Sequence, residues 1–239
     1  LTLSFVCQSQ IKKGPSAMIT LIEDDDGLSS ALKAFFKSKN MQCLHFNTGE
    51  SYIHHITAGE SNIATPETLE HWDPGVIIID IRLPGISGLE VFEQQQQIIP
   101  LNHKPVLFMT GHGDVQLAVS ALKMGAFDFL TKPISTESLS SNIRQAYEKS
   151  EELLEIRKFI SSFEFRFKKL TSRESEIAEL IALNNTNKMI AEELGISVRT
   201  LELHRSRIFE KMEVSSAAEL AAKFEKIGYS RKTFLNITD

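Results

Sequence analysis

The run Val76-Ile77-Ile78-Ile79-Asp80 constrains this chain more than any other feature: four β-branched apolar residues in succession, closed by a carboxylate. β-Branched side chains favour extended backbone, and a strand apolar on both faces needs cover on both. A central parallel strand sandwiched between helices meets that need. MITLI (18–22), QCLHF (42–46), PVLFMT (105–110) and DFLTK (128–132) read as further strands. Amphipathic stretches separate them. LSSALKAFFKSKN (28–40) has Leu28, Ala31, Leu32, Phe35 and Phe36 inward, and GLEVFEQQQQ (88–97) carries Gln94–Gln97 as a solvated surface. DVQLAVSALKMG (114–125) closes on Gly125, and another helix starts near Thr136. The stretch 51–75 reads as a helix plus an irregular loop; its adjacent His54 and His55 would point in different directions, so no metal site is expected there. Five strands alternating with five helices predict an α/β fold with a doubly wound, five-stranded parallel sheet. A ligand site is expected beyond the carboxyl ends of its strands.

The second half follows a different rule. SLSSNIRQAYEKSEELLEIRKFISSF (138–163) holds no Pro or Gly. Leu139, Ile143, Ala146, Leu153, Ile156, Ile160 and Phe163 recur at helical spacing with a gap near Ser150. One long connecting helix, two helices with a bend and a solvated linker all fit that pattern. Beyond it, TSRESEIAELIAL (171–183) opens with a capping box, Thr171 with Glu174. NKMIAEELG (187–195) stops at Gly195, SVRTLELHRSRIFEKM (197–212) follows, and SAAELAAKFEKIG (216–228) comes last. Four helices with a tight turn at Gly195-Ile196-Ser197 predict a separate all-α domain containing a helix-turn-helix.

Charge follows this division. Residues 1–165 carry 13 Lys+Arg against 20 Asp+Glu, and residues 166–239 carry 13 against 11, so the formal net charge of −5 joins an acidic half to a mildly basic one. That suits a regulatory domain attached to a nucleic-acid binder. The two cysteines, Cys7 and Cys43, give neither a disulfide framework nor a metal-ligand spacing, which points to a reducing cytoplasm. No apolar run is long enough to span a bilayer, and residues 1–17 lack the pattern of a signal peptide, so no membrane association is expected. The expected organisation is an N-terminal extension (1–17, disordered) and a first domain (18–137). A terminal helix and linker (138–168), a helix-turn-helix domain (169–230) and a tail (231–239) follow.

Glu23 and Asp24 close the first strand and Asp80 the third, which are neighbours in a doubly wound sheet. Three converging carboxylates repel one another unless a cation sits among them, and hard oxygen ligands with room for water favour Mg²⁺. Asp80 would then act as the nucleophile in phosphoryl transfer. Thr110 and Lys132, at the ends of the fourth and fifth strands, supply a hydroxyl and an ammonium for phosphate oxygens.

IEDDDG, IIIDIRLPGISGLEV and LFMTGHGDVQLAVSALKMGAFDFLTKP, at these spacings, resemble the receiver domain of two-component response regulators, FixJ-type branch, over residues 18–150. The resemblance implies that Glu23 and Asp24 are the metal-binding acidic pair and Asp80 the phosphoacceptor. It implies that the backbone carbonyl of Arg82 completes the ligands, that Thr110 and Phe129 form the switch, and that Lys132 partners the phosphate. Glu23 stands where Asp is usual, and Lys132-Pro133 is expected to be cis.

LTSRESEIAELIAL and NKMIAEELGISVRTLELHRSRIFEKM resemble the LuxR/FixJ-type DNA-binding domain over residues 170–228. Val198, Leu201, Ile208 and Met212 are spaced to hold the recognition helix on its core, while Arg199, Glu202, Arg205, Ser206 and Arg207 face outward with Thr200 and His204 nearby. Glu202, Leu203 and Ser206 match the family's groove-facing positions, where Glu accepts from cytosine N4 and Leu touches a thymine methyl. Lys188, Arg199, Arg205 and Lys211 are read as backbone contacts. Two departures bear on local geometry: Asn184 replaces the Gly usual after the first helix of this domain, and Glu213 stands where Gly or Asn is usual after the recognition helix.

The expected function is therefore a DNA-binding response regulator rather than an enzyme, phosphorylated by a sensor histidine kinase and acting as a homodimer on double-stranded DNA. RNA polymerase is an expected partner, and activation of transcription the commoner outcome in the family. An aspartyl-phosphate hydrolase would carry a second Asp two residues after the nucleophile, where this chain has Arg82. A phosphorylation-independent regulator with a vestigial receiver is the remaining alternative.

Overall fold

A computed structural model of the chain describes residues 18–59, 73–99, 102–111, 115–183 and 185–234. The first domain runs β1 (Met18–Ile22), α1 (Asp26–Ser38), β2 (Gln42–Phe46), α2 (Gly49–Gly59), β3 (Gly75–Asp80), α3 (Gly88–Ile98), β4 (Val106–Thr110), α4 (Val115–Lys123) and β5 (Asp128–Thr131). α5 (Thr136–Phe167) leads into α6 (Ser172–Ala182), α7 (Asn187–Leu194), α8 (Val198–Met212) and α9 (Ala217–Phe234). The sheet is parallel in the order β2-β1-β3-β4-β5, so β1 and β3 lie side by side as the doubly wound reading requires.

Alternation along the strands divides the core into two layers. Ile19, Leu21, Val76, Ile78, Leu107 and Met109 face α1 and α5, where Leu32, Phe36, Leu139, Ile143 and Ala146 meet them. Ile22, Ile77, Ile79, Val106 and Phe108 face the other way, onto Tyr52 of α2, Val91 and Phe92 of α3 and Ala121 of α4. All six residues of β3 are buried, as its composition demands. Asp25 caps α1, its side chain accepting from the Leu28 amide, and a capping box of Ser87 and Glu90 starts α3.

A third core belongs to the helical half: Ile177 and Ile181 of α6, Ile190 of α7, Leu201, Ile208 and Met212 of α8, and Leu220 and Ile227 of α9. Ile160 and Phe163 of α5 complete it, and Phe163, Phe167 and Phe224 pack ring against ring at centroid distances of 5.1–5.9 Å. The connecting segment is thus one continuous 32-residue helix, neither bent in two nor a solvated linker, and it contributes to both halves.

Four local readings need correction. Ala31 is exposed, and Ser29 takes its place on the inner face of α1. Gln95 is buried, accepting a 2.6 Å hydrogen bond from the Tyr52 hydroxyl, because that phenol needs a partner once it is enclosed. Val198 is 43% exposed, since the first turn of α8 projects past the core. α9 runs to Phe234, into the segment read as a tail. Cys7, Asn184 and the N-terminal extension lie outside the described residues. Among the described residues, no helix is long and apolar enough to cross a membrane.

Candidate functional site

The carboxyl ends of β1 and β3 bring Glu23, Asp24 and Asp80 together, with one carboxylate oxygen from each lying within 4.8 Å of the others. Among the described residues this is the group of acidic, His or Cys side chains able to hold a metal ion; His54 and His55 belong to no such group. Glu23 and Asp80 are buried, whereas Asp24 is exposed, leaving the cluster open to solvent on one side. Lys132 reaches in from the end of β5, its Nζ 2.6 Å from Asp80 Oδ2 and 2.8 Å from Glu23 Oε2.

Burial pushes the Glu23 carboxyl above its ordinary range; hydrogen bonds from Lys132 and the Asp25 amide oppose that, and the nearby Asp80 charge adds to it. For Lys132, burial works against the ammonium, but hydrogen bonds to Asp80 and Glu23 outweigh it and the net shift is upward. Three carboxylates against one ammonium leave excess negative charge, which a divalent cation would neutralise. The donors are hard oxygens with an open side for water, so the residues fit Mg²⁺.

The backbone around Asp80 is held closely. The Arg82 amide donates to Asp80 Oδ1 at 3.1 Å, and Gly88 packs so near that a Cβ there would stand 2.1 Å from the Asp80 carbonyl oxygen. Glu50, at the start of α2, accepts from the Ile86 amide at 3.0 Å and so holds the loop that follows Asp80. Sequence reasoning missed Glu50, for nothing in a lone first-turn Glu announces a distant loop; the Ser87–Glu90 box that anchors the other end of this loop is a readable S-x-x-E signal. His45 donates from Nε2 to the Glu23 carbonyl at 2.9 Å. Thr110 is buried at the end of β4, Phe129 is half-buried against the second core layer, and Lys132-Pro133 is cis.

In the helical half, Gly195 ends α7 in a left-handed conformation (φ 64°) and Ser197 caps α8, accepting from the Thr200 amide at 3.0 Å. This turn sets α8 across α7, its outer face free: Arg199, Thr200, Glu202, Leu203, Ser206 and Arg207 are exposed, Leu203 by 60%, and Lys188 is exposed on α7. Arg205 is half-buried, its guanidinium 5.1 Å from the Phe209 ring centroid. His204 is half-buried with Nδ1 enclosed and unpartnered, so its ring turns partly towards the packing.

Lys211 is half-buried and paired within the domain. Its Nζ lies 2.6 Å from the buried Glu174 carboxylate, inside the capping box of α6. Glu213 adopts the left-handed cap (φ 51°) usually left to Gly or Asn, and two cations stabilise it there. Arg166 Nη2 lies 2.6 Å from its carboxylate, and Lys223 Nζ donates to its carbonyl at 2.9 Å.

Comparison with known proteins gives both halves a family. Residues 19–144 match the response regulator receiver domain, and residues 168–224 match the bacterial regulatory proteins of the luxR family. Nodulation protein W of Bradyrhizobium diazoefficiens is 31% identical over 218 residues, covering 90% of this chain and 88% of that protein. The tetrathionate response regulatory protein TtrR of Salmonella typhimurium is 33% identical over 211 residues, covering 88% and 93%. The transcriptional regulatory protein FixJ of Azorhizobium caulinodans is 33% identical over 209 residues, covering 86% and 90%. Among solved structures, response regulator StyR superposes with a TM-score of 0.66 at 31% identity, covering 89% of this chain and all of that one. This chain therefore belongs to the two-component response regulators that join a receiver to a LuxR-type helix-turn-helix DNA-binding domain.

Proposed function

We propose that Asp80 accepts a phosphoryl group from the phosphohistidine of a partner sensor histidine kinase. An Asp80 carboxylate oxygen attacks phosphorus in line, the P–O bond forms as the P–N bond breaks, and the imidazole leaves with the bonding pair. Glu23, Asp24, Asp80 and the Arg82 carbonyl would hold Mg²⁺, which when bound offsets charge on the transferring group. Lys132 is freed from its two carboxylates to pair with a phosphate oxygen, and Thr110 donates to another. The movement of Thr110 draws Phe129 inward and changes the α4–β5 face, which then pairs with a second copy. The observation that carries this reading is the meeting of three carboxylate oxygens within 4.8 Å beside the Lys132 ammonium.

The dimer presents two copies of α8 to half-sites about one helical turn apart on double-stranded DNA. Glu202, Leu203 and Ser206 read base edges; Lys188, Arg199, Thr200 and Arg205 position the helix on phosphates, with His204 buttressing it. Lys211, held beside Glu174, adds a further phosphate contact. The protein works in the cytoplasm, where the dimer recruits RNA polymerase and activates transcription. The relatives' printed names span nodulation and tetrathionate response, so the stimulus is set by the kinase and not by the residues of this site. Sedimentation with acetyl phosphate and Mg²⁺ tests the reading: the wild type dimerises and Asp80→Asn stays as it was. Equal dimerisation of both, or DNA affinity indifferent to the phosphodonor, would leave a regulator with a vestigial receiver.

A further inference from the structure

The apolar stripe of α5 breaks at Ser150, yet Ser150 is fully buried. Its hydroxyl donates to the His103 carbonyl at 2.8 Å and accepts from the Gly75 amide at 2.9 Å. Gly75 begins β3 and His103 precedes β4, so one side chain ties the helix to two strands at the amino end of the sheet, opposite Asp80. Two turns further along, Arg157 brings Nη1 within 3.4 Å of His103 Nδ1. His103 Nε2 lies 3.0 Å from the Asp73 carbonyl, which can only accept, so the proton sits on Nε2 and Nδ1 is left to accept from Arg157. Leu154, between the two contacts, is buried.

The same helix continues without Pro or Gly to the DNA-binding half, where Ile160 and Phe163 enter the third core and Arg166 holds the cap of α8. Meanwhile Glu202, Leu203 and Ser206 stay exposed, so the receiver does not cover the reading face. We propose that Ser150, His103 and Arg157 form a two-point lock that fixes the second half of α5 on the receiver, making it a rigid arm that holds an uncovered reader at one orientation. The hydrogen bonds set register as well as adhesion. A helix slid by one residue would bury a different side chain at position 150 and take the Ser150 hydroxyl away from the Gly75 amide and the His103 carbonyl. These contacts lie at the other end of β3 from Asp80, so the lock does not rest on phosphorylation of that residue.

Lock and simple helix stiffness are separable, because exposed Glu151 and Glu152 lie between the two contact points. Spin labels are placed at Ser30→Cys and Glu225→Cys in a full-length Cys7→Ser, Cys43→Ala background, and the distance distribution between them is read by double electron–electron resonance. The parent gives one narrow distance. Glu151→Gly with Glu152→Gly stays narrow, because both ends of the softened segment remain bound; adding Arg157→Met broadens the distribution. A broad parent, broadening by the two glycines alone, or no broadening on adding Arg157→Met overturns the lock. Should the glycine variants fail to fold, amide exchange at Gly75 in Ser150→Ala decides: exchange about tenfold faster or more is expected, and an unchanged rate refutes the Ser150 contact.

Discussion

The two ends of the receiver's sheet bury polar groups to opposite effect. At the amino end, Ser150, His103, Gly75 and Asp73 exchange hydrogen bonds among neutral partners, with the charge of Arg157 at the rim. At the carboxyl end, Glu23, Asp24 and Asp80 crowd their charges around one lysine, and burial raises the Glu23 carboxyl further. A satisfied neutral network fixes geometry, while a charge-excess network is poised to take up a cation or a phosphoryl group. One sheet thereby separates holding from switching, and β3 carries both, Gly75 at its first residue and Asp80 at its last.

Four perturbations would break or sharpen that contrast. The largest effect is expected at Lys132: Lys132→Ala should slow phosphoryl incorporation from acetyl phosphate roughly 100- to 1000-fold, as loss of a preorganised charge-stabilising donor does. A rate within about threefold of wild type, measured as acid-labile phosphate over time, would remove the lysine from the chemistry.

Next comes pH. Burial lowers His103 from 6.5 to about 4, so the folded state favours the neutral ring. Its contribution is fully present above pH 6.5 and is lost as pH falls towards 4, an effect of about 3 kcal/mol. Denaturant melts of wild type and His103→Gln across that window should converge at low pH. Parallel curves would mean that the ring is not held neutral.

Mg²⁺ follows closely. At about one hundred times its dissociation constant it should add about 2.7 kcal/mol to stability, and Asp24→Ala should lose most of that gain while Ser150→Ala keeps it. A gain retained by Asp24→Ala would move the ion elsewhere. Ser150→Ala itself should cost about 1–3 kcal/mol by taking the Ser150 acceptor from the buried Gly75 amide, and calorimetry should find that cost unchanged by Mg²⁺. A cost that depends on the ion would couple the two ends directly.

Much of this architecture was legible in the sequence because it follows from side-chain periodicity. The apolar run at 76–79 demanded a central strand, and a carboxylate at a strand's last residue has one place to go in a doubly wound sheet. The acidic cluster, the Thr171 capping box and the Gly195 turn were readable for the same reason: each is a local signal with a fixed geometric consequence.

What escaped depends on partners far along the chain. Gln95 looked like solvated surface until the Tyr52 hydroxyl, 43 residues earlier, was found against it. Lys211 reads as a phosphate contact from its place on the recognition helix, and its ion pair with Glu174 of another helix leaves no trace in that local pattern. Ser150 registered only as a gap in an apolar pattern, since periodicity records which face a residue occupies and not which hydrogen bonds await it there. Glu213 in a left-handed cap could not be foreseen without Arg166 and Lys223 beside it.

The most direct test incubates the full chain with acetyl phosphate and Mg²⁺, weighs the intact protein and maps the modified peptide. One added phosphoryl group is predicted, carried on Asp80 and missing from Asp80→Asn. An unmodified mass, or phosphate located on any other residue, would contradict the assignment of the carboxyl end of the sheet as the switch.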